Sequence, residues 1–372
     1  MSFNIILIII IIIIIYFCLN TNDAELFISY YKCDKPINKV TLDIFKKYNI
    51  TKDKSNELHI PCDYTHVEKE LQNFNVDTSI LNSIYAIDGC DKLVSKNNLW
   101  KMLVNQYGKD TSKTIMPYTY IISNKEDIIE FKNKYKKNKN QKRFILKKNL
   151  QRKKGIYLSN NYYDILKTIY NDKKFKIIQE FKESFLVKDR KFNLRIYYLV
   201  VCKNNHKQFY YHSEGKCIYA NKNSHKSFNI DSNIPNIYDK NYNGYDDDRP
   251  FYLNELYTYL DSKGIHHNLK KKIEKVLNLL SNTLTNSICK IEKLKKYNLF
   301  QLFGLDIIVD ANLNPYILEL NKGPDLKIGA LDNIADSKDY KMKQHVLEDM
   351  FELIGLINVK KKNYFNNFIS LQ

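Results

Sequence analysis

The chain has 372 residues, of which 44% are hydrophobic and 27% charged, with only 10 Gly and 7 Pro. This is long enough for two or three domains around a sizeable core, and it excludes a disordered polymer or a Gly/Pro linker protein. The formal net charge of +18 favours acidic partners, but Lys, Asn, Ile and Tyr are inflated together, and no aromatic RNA-binding signature or Cys/His finger accompanies the charge, so no nucleic acid is expected.

From the N-terminus, Ile5 to Leu19 is an unbroken apolar run of about fifteen residues, shorter than the roughly 20 of a spanning helix yet too apolar to expose. No Lys or Arg precedes it, whereas Lys32, Lys35 and Lys39 follow. The positive-inside rule therefore predicts a hydrophobic membrane anchor over residues 1–20, with the body of the protein facing the cytoplasm. A cleaved signal peptide is the rival reading, although no basic segment precedes the run. Residues 21–92 read as a smaller N-terminal domain with a helix over 66–75. Ser95 is a plausible N-cap for a helix over 95–106, where Leu99, Trp100, Leu103 and Val104 recur at helical spacing. Thr114–Ser123 reads as a strand and Lys125–Tyr135 as a helix. Further strands are expected at Phe144–Lys147, Lys176–Phe181, Asn193–Cys202 and Lys207–Tyr211; a polar, basic stretch and Gly155–Leu158 follow the first, and Asn161–Tyr170 reads as a helix. Residues 221–250 read as a polar loop, followed by an amphipathic helix over 268–291. Strands Phe300–Val309 and Tyr316–Leu320 are joined by a turn at Asn312–Asn314, and a helix over 338–357 follows. Strands and helices intermix without a repeat, which points to an α+β or mixed α/β enzyme rather than a parallel dinucleotide fold. The seven Cys are spread singly, which argues against a disulfide framework or a zinc site and suits a reducing compartment.

Four stretches carry chemistry. Between Phe300 and Leu326, Asp306, Glu319 and Asn321 lie inside otherwise apolar strands, where unpaired charge is costly. Alternation puts Glu319 and Asn321 on one face, and a hairpin would bring Asp306 opposite Glu319, giving hard oxygen ligands suited to magnesium. Lys147 ends a buried strand and precedes a basic loop (Arg152, Lys153, Lys154) and Gly155, an arrangement able to meet phosphates without a Walker A motif. Gln179-Glu180 follows an apolar strand that can offer backbone groups to an adenine edge. In Lys191-Phe192-Asn193-Leu194-Arg195, alternation sets Lys191, Asn193 and Arg195 on one face, where Arg195 can grip a carboxylate or phosphate.

Taken in this order, the stretches resemble the tubulin–tyrosine ligase family, which includes polyglutamylases and polyglycylases. Its strand-Lys, basic loop and Gly-Ile run is matched by Leu146-Lys147 through Gly155-Ile156, and its Gln-Glu hinge by Gln179-Glu180. Its Lys-Phe-Asp-Leu-Arg motif appears as Lys191-Phe192-Asn193-Leu194-Arg195. Its Phe-Gly-x-Asp and Glu-x-Asn pair appears as Phe303-Gly304-Leu305-Asp306 and Glu319-Leu320-Asn321. Ile87-Asp88-Gly89-Cys90-Asp91-Lys92 resembles the segment ahead of the ligase core. The likeness spans roughly residues 60–357. It implies an α+β, ATP-grasp fold over 93–357, in which two α+β subdomains sandwich ATP and Mg2+, with a basic tail over 358–372. By the same resemblance, Lys147 and Lys154 would contact the nucleotide, Gln179 and Glu180 would border the adenine, and Asp306, Glu319 and Asn321 would hold magnesium. Lys191 and Arg195, with Glu319, would serve the chemistry. The implied activity is ATP-dependent ligation of an amino acid to a protein carboxylate through an acyl phosphate, with tubulin or another acidic protein tail as the partner. The pattern is broken at two places. The motif's Asp is Asn193, and where the family often has Gly-x-x-Arg this chain reads Gly215-Lys216-Cys217-Ile218. The family's His-Leu-Thr-Asn motif is also not found. The alternatives are a non-catalytic ATP- or microtubule-binding protein and an ATP-grasp ligase with a non-tubulin acceptor.

Overall fold

The structure is a computed structural model that describes residues 29–32, 36–53, 57–62, 67–75, 81–136, 142–150, 155–224, 230–235, 248–326, 334–359 and 366–372. Its strands, in chain order, are β1 (Ser29–Tyr31), β2 (Thr51–Lys52), β3 (Leu58–His59), β4 (Ser83–Ile84), β5 (Thr119–Ile121), β6 (Phe144–Lys148), β7 (Ile156–Ser159) and β8 (Phe175–Glu180). They continue with β9 (Leu186–Val187), β10 (Arg190–Lys203), β11 (His206–His212), β12 (Lys216–Tyr219), β13 (Asn298–Val309), β14 (Pro315–Asn321) and β15 (Phe368–Ser370).

Two sheets organise the described chain. The smaller has the order β5-β8-β6-β7, every pair antiparallel. The larger has 11 strands, centred on the antiparallel pair β10/β13, which runs in register from Asn193↔Ile308 to Cys202↔Leu299. Beyond one end of β13 lie β4, β3, β1 and β2, all parallel. At the other end β12 pairs β10 and β14 pairs β13, so four strands lie side by side as β12-β10-β13-β14. The fold is therefore mixed α+β.

β10 and β13 are apolar on both faces because both are covered. Leu194, Ile196, Tyr198 and Val200 enter a core shared with the helix Leu269–Thr285, where the Tyr198 hydroxyl lies 2.8 Å from Ser281 Oγ. Tyr197, Leu199 and Val201 enter a second core with Phe300, Leu302 and residues Met342, Val346 and Met350 of the helix Ile334–Leu353. Toward the start of β10, the second face changes character and carries Lys191, Asn193 and Arg195. The hairpin that joins β13 to β14 is set by Asp310, whose Oδ1 accepts from the backbone of Asn312 at 2.9 Å and Asn314 at 2.8 Å, with Leu313 in the left-handed region.

Most expected elements form. The helix expected over 95–106 runs from Lys96 to Ser112 and is broken at Gly108 (φ 72°, ψ 168°). The helix Leu253–Ser262 was not expected. Its N-cap is Tyr252, a residue with no capping signature, and Glu255 supplies the cap by accepting from the Phe251 and Tyr252 backbones at 2.6 and 3.1 Å. Two expectations need correction. Among the described residues no helix is long and apolar enough to cross a membrane. The Ile5–Leu19 run, on which the membrane anchor and the cytoplasm-facing topology rested, lies outside the described residues. In addition, Cys202 and Cys289 form a disulfide although their spacing gave no hint of it. The β10/β13 register brings Cys202 opposite Leu299, and the chain entering β13 carries Cys289 to the same place.

The segment Ile87–Lys92 has a clear structural task. Gly89 adopts φ 88° at the start of the helix Cys90–Leu93, and a Cβ there would overlap the carbonyl oxygen of Ser287. Asp88 Oδ2 accepts from the Lys290 backbone at 2.7 Å, which ties the same two segments together. Gly89→Ala is therefore expected to lower stability by about 1–3 kcal/mol, read as a shifted urea midpoint. An unchanged midpoint would contradict this packing.

Candidate active site

Between the two sheets lies a cleft lined from both sides. From the smaller sheet come Ile145, Lys147, Ile156, Gln179 and Glu180. From the larger come Lys191, Asn193, Arg195, Ile218, Asp306, Ile308, Leu318 and Glu319. Seven of the sequence-derived site residues thus share one cavity. Asn321 adjoins it, its amide donating to Glu319 Oε1 at 3.3 Å. Lys154, with Arg152 and Lys153, lies outside the described residues.

The floor is a row of charge across four strands. Lys216 is registered with Arg195, Arg195 with Asp306, and Asp306 with Glu319. Arg195 Nε donates to Asp306 Oδ1 at 2.7 Å. Gly304 makes room for this arginine, since a Cβ there would sit 3.2 Å from Arg195 Nη1. The β13/β14 register shifts just after Asp306, so that Glu319 still faces Asp306 while Leu318 is the extra residue. This bulge lets the consecutive residues Leu318 and Glu319 both line the cleft, which strict alternation forbids.

Two facing carboxylates repel, and burial resists their ionisation. Burial raises Asp306 well above the usual carboxylate range, opposed by Arg195 and reinforced by Glu319. Burial also works against the Glu319 anion, but Lys96 and Lys147 outweigh it and hold this carboxyl down. Lys96 Nζ stands 2.9 Å from Glu319 Oε2. Burial likewise works against the charge on Arg195, yet Asp306 keeps it more firmly protonated than an ordinary arginine.

Two lysines face this floor with weakened charge. Lys147 is 6% exposed and donates to Gln179 Oε1 at 2.6 Å. Burial, helped by Lys96 and opposed by Glu319 and Asp306, lowers it to about 8. Gln179 is held in turn, donating to Thr119 Oγ1 at 2.9 Å, so it orients Lys147. The Glu180 carboxylate accepts from the Tyr135 hydroxyl at 2.6 Å. Lys191 is 3% exposed, its Nζ lies 4.0 Å from the Phe181 ring centroid, and this ammonium has no hydrogen-bond partner. Burial lowers it to about 8, opposed by Glu183 and aided by Arg143. A buried ammonium with unfilled donors that lines a cleft can take an anion as its partner.

Among the described residues no group of three or more His, Cys, Asp or Glu side chains gathers as a metal site. The candidate donors are two carboxylates and an amide, the sparse oxygen set that magnesium takes when substrate phosphates complete its shell. The donor set therefore fits that ion. Sequence reasoning missed Lys96, Ile308 and Leu318. Lys96 opens a helix far along the chain from Glu319, and Leu318 reaches the cleft only through the bulge. Lys96→Met would leave Glu319 without its nearest cation and is expected to lower stability by about 1–3 kcal/mol in urea denaturation. Equal stability would mean that Lys147 alone neutralises Glu319.

A family model described as the tubulin-tyrosine ligase family matches residues 74–363. Among curated proteins, the chain is 28% identical over 189 residues to the probable tubulin polyglutamylase ttll-9 of Caenorhabditis elegans, covering 48% of this chain and 41% of the relative. It is 24% identical over 289 residues to the human tubulin polyglutamylase TTLL5, covering 72% of this chain and 21% of the relative. It is 26% identical over 220 residues to the tubulin glycylase 3D of Tetrahymena thermophila, covering 55% of this chain and 20% of the relative. The chain thus spans less than half the length of each of these relatives. With a match that extends over most of its length and carries the whole cleft, this chain belongs to the tubulin-tyrosine ligase family.

Proposed function

We propose that this chain is an ATP-dependent carboxylate–amine ligase of the ATP-grasp type, which joins an amino acid to a carboxylate of an acidic protein, tubulin among the candidates. The observation that carries the reading is the meeting, in one cleft, of buried lysines from opposite sheets, Lys147 and Lys191, with the facing carboxylates Asp306 and Glu319. Family membership and relatives named as tubulin polyglutamylases and a tubulin glycylase support it.

Ile145 and Ile156 from the smaller sheet and Leu318 from the larger offer apolar walls to a flat base. Lys147, oriented by Gln179, would meet the phosphates, with Glu180 bordering the base. Asp306, Glu319 and Asn321 would hold Mg2+, which when bound neutralises charge on the transferring phosphoryl group. A carboxylate oxygen of the acceptor would attack the γ-phosphorus and release ADP. The amine nitrogen would then attack the acyl carbon, form the amide and release phosphate, the surplus amine proton passing to solvent. Lys191 and Arg195 would stabilise the anionic acyl group in the interval.

With magnesium-ATP, tubulin and an amino acid, ADP release is expected, and Lys147→Met or Glu319→Gln should lower it at least about 100-fold. ATP binding without ADP release under any pairing would favour the non-catalytic nucleotide-binding reading. The pH dependence has a definite sign. Lys147, the assigned phosphate contact, is protonated below about 8 and loses its charge above it. Nucleotide affinity by calorimetry should therefore fall above pH about 8, and the fall should be shallower in Lys147→Met. An affinity that rises above pH about 8 would contradict the assigned phosphate contact.

A further inference from the structure

The two breaks in the family pattern, Asn193 and Ile218, are far apart in the sequence but directly opposite each other in the β10/β12 register. On the other side of Asn193 lies Ile308. All three line the cleft. A neutral row, Ile218–Asn193–Ile308, thus runs beside the charged row Lys216–Arg195–Asp306–Glu319, two residues away along β10. Beyond it on the same strand and face stands Lys191. The charges of the neighbouring row are engaged. Lys216 Nζ meets Asp339 at 2.5 Å, Arg195 meets Asp306 at 2.7 Å, and Glu319 meets Lys96 at 2.9 Å. Lys191 differs, as a buried ammonium without a hydrogen-bond partner. Ser184 Oγ lines the same cleft, also buried and without a partner.

We propose that this neutral row is the subsite for the side chain of the amine substrate, and that it takes an α-amino acid with an uncharged side chain in preference to a dicarboxylic one. The inference rests on the ligase reading above. An α-amino acid brings one carboxylate, which Lys191 receives. A second carboxylate, laid against Ile218 and Ile308, would be buried without a counter-charge, a costly arrangement. A neutral amide or hydrocarbon meets isoleucine, the Asn193 amide and the Ser184 hydroxyl without that penalty. The two breaks stand opposite each other, so the row between them carries no charge left without a partner.

Glutamine and glutamate test this directly, because they share size and shape and differ in one charge. Binding is measured by calorimetry to the full chain loaded with magnesium and a non-hydrolysable ATP analogue, in the presence of an acidic peptide. Glutamine is expected to bind at least about tenfold more tightly than glutamate, and Ile218→Arg to reverse the order. The wild-type comparison stands even where that variant fails to fold. Glutamate binding as tightly as glutamine, or no binding of either, would overturn the subsite. ADP release separates the two readings. Release driven by glutamate but not glutamine overturns the subsite and leaves the ligase intact. A glutamine preference in binding with no release for any amine overturns the ligase reading and leaves the subsite standing.

Discussion

The register between β10 and β13 is the constraint on which the rest of the molecule depends. Ten consecutive residue pairs, from Asn193↔Ile308 to Cys202↔Leu299, fix which side chains share each face. At one end, that register joins two hydrophobic cores across the same pair of strands. At the other, it places Arg195 against Asp306 and, through β14, Asp306 against Glu319. A slip of one residue would send Arg195 and Asp306 into the core beside Leu194 and Leu305, and no partner there would compensate them. The apolar length of both strands thus does two tasks. It drives burial, and it makes the charged row at the cleft possible by forbidding any other alignment.

The carboxylates at the floor are managed by cations drawn from distant segments. Arg195 comes from the neighbouring strand, Lys96 from the first residue of a helix, and Lys147 from the other sheet. This divides their behaviour, with Glu319 firmly ionised and Asp306 raised. Lys147 and Lys191 carry the complementary strain, charged groups that burial has weakened and that an arriving anion would restore. Chemistry that moves negative charge through such a cleft gains from groups fixed in place beforehand.

Much of this was legible in the sequence because it rests on period and on chemical incongruity. The alternation in Lys191-Phe192-Asn193-Leu194-Arg195 is the alternation of β10 between cleft and core, and the carboxylates at Asp306 and Glu319 stood out because the strands around them are apolar. The long helix announced its buried stripe at Leu269, Ile273, Leu277 and Leu280. Three-dimensional coincidences were not legible. No local pattern connects Lys96 to Glu319 or Cys202 to Cys289, and nothing in the text of β14 marks the bulge that turns Leu318 into the cleft. The relation of Asn193 to Ile218 is of the same kind. Each stands out in the sequence as a separate break in the family pattern, and only the register makes them one feature.

If one nucleotide is held between the two sheets, adding magnesium-ATP slows amide hydrogen exchange in β6 and β8 of the smaller sheet together with β13 and β14 of the larger. Protection confined to one sheet, or absent from both, would rule that arrangement out.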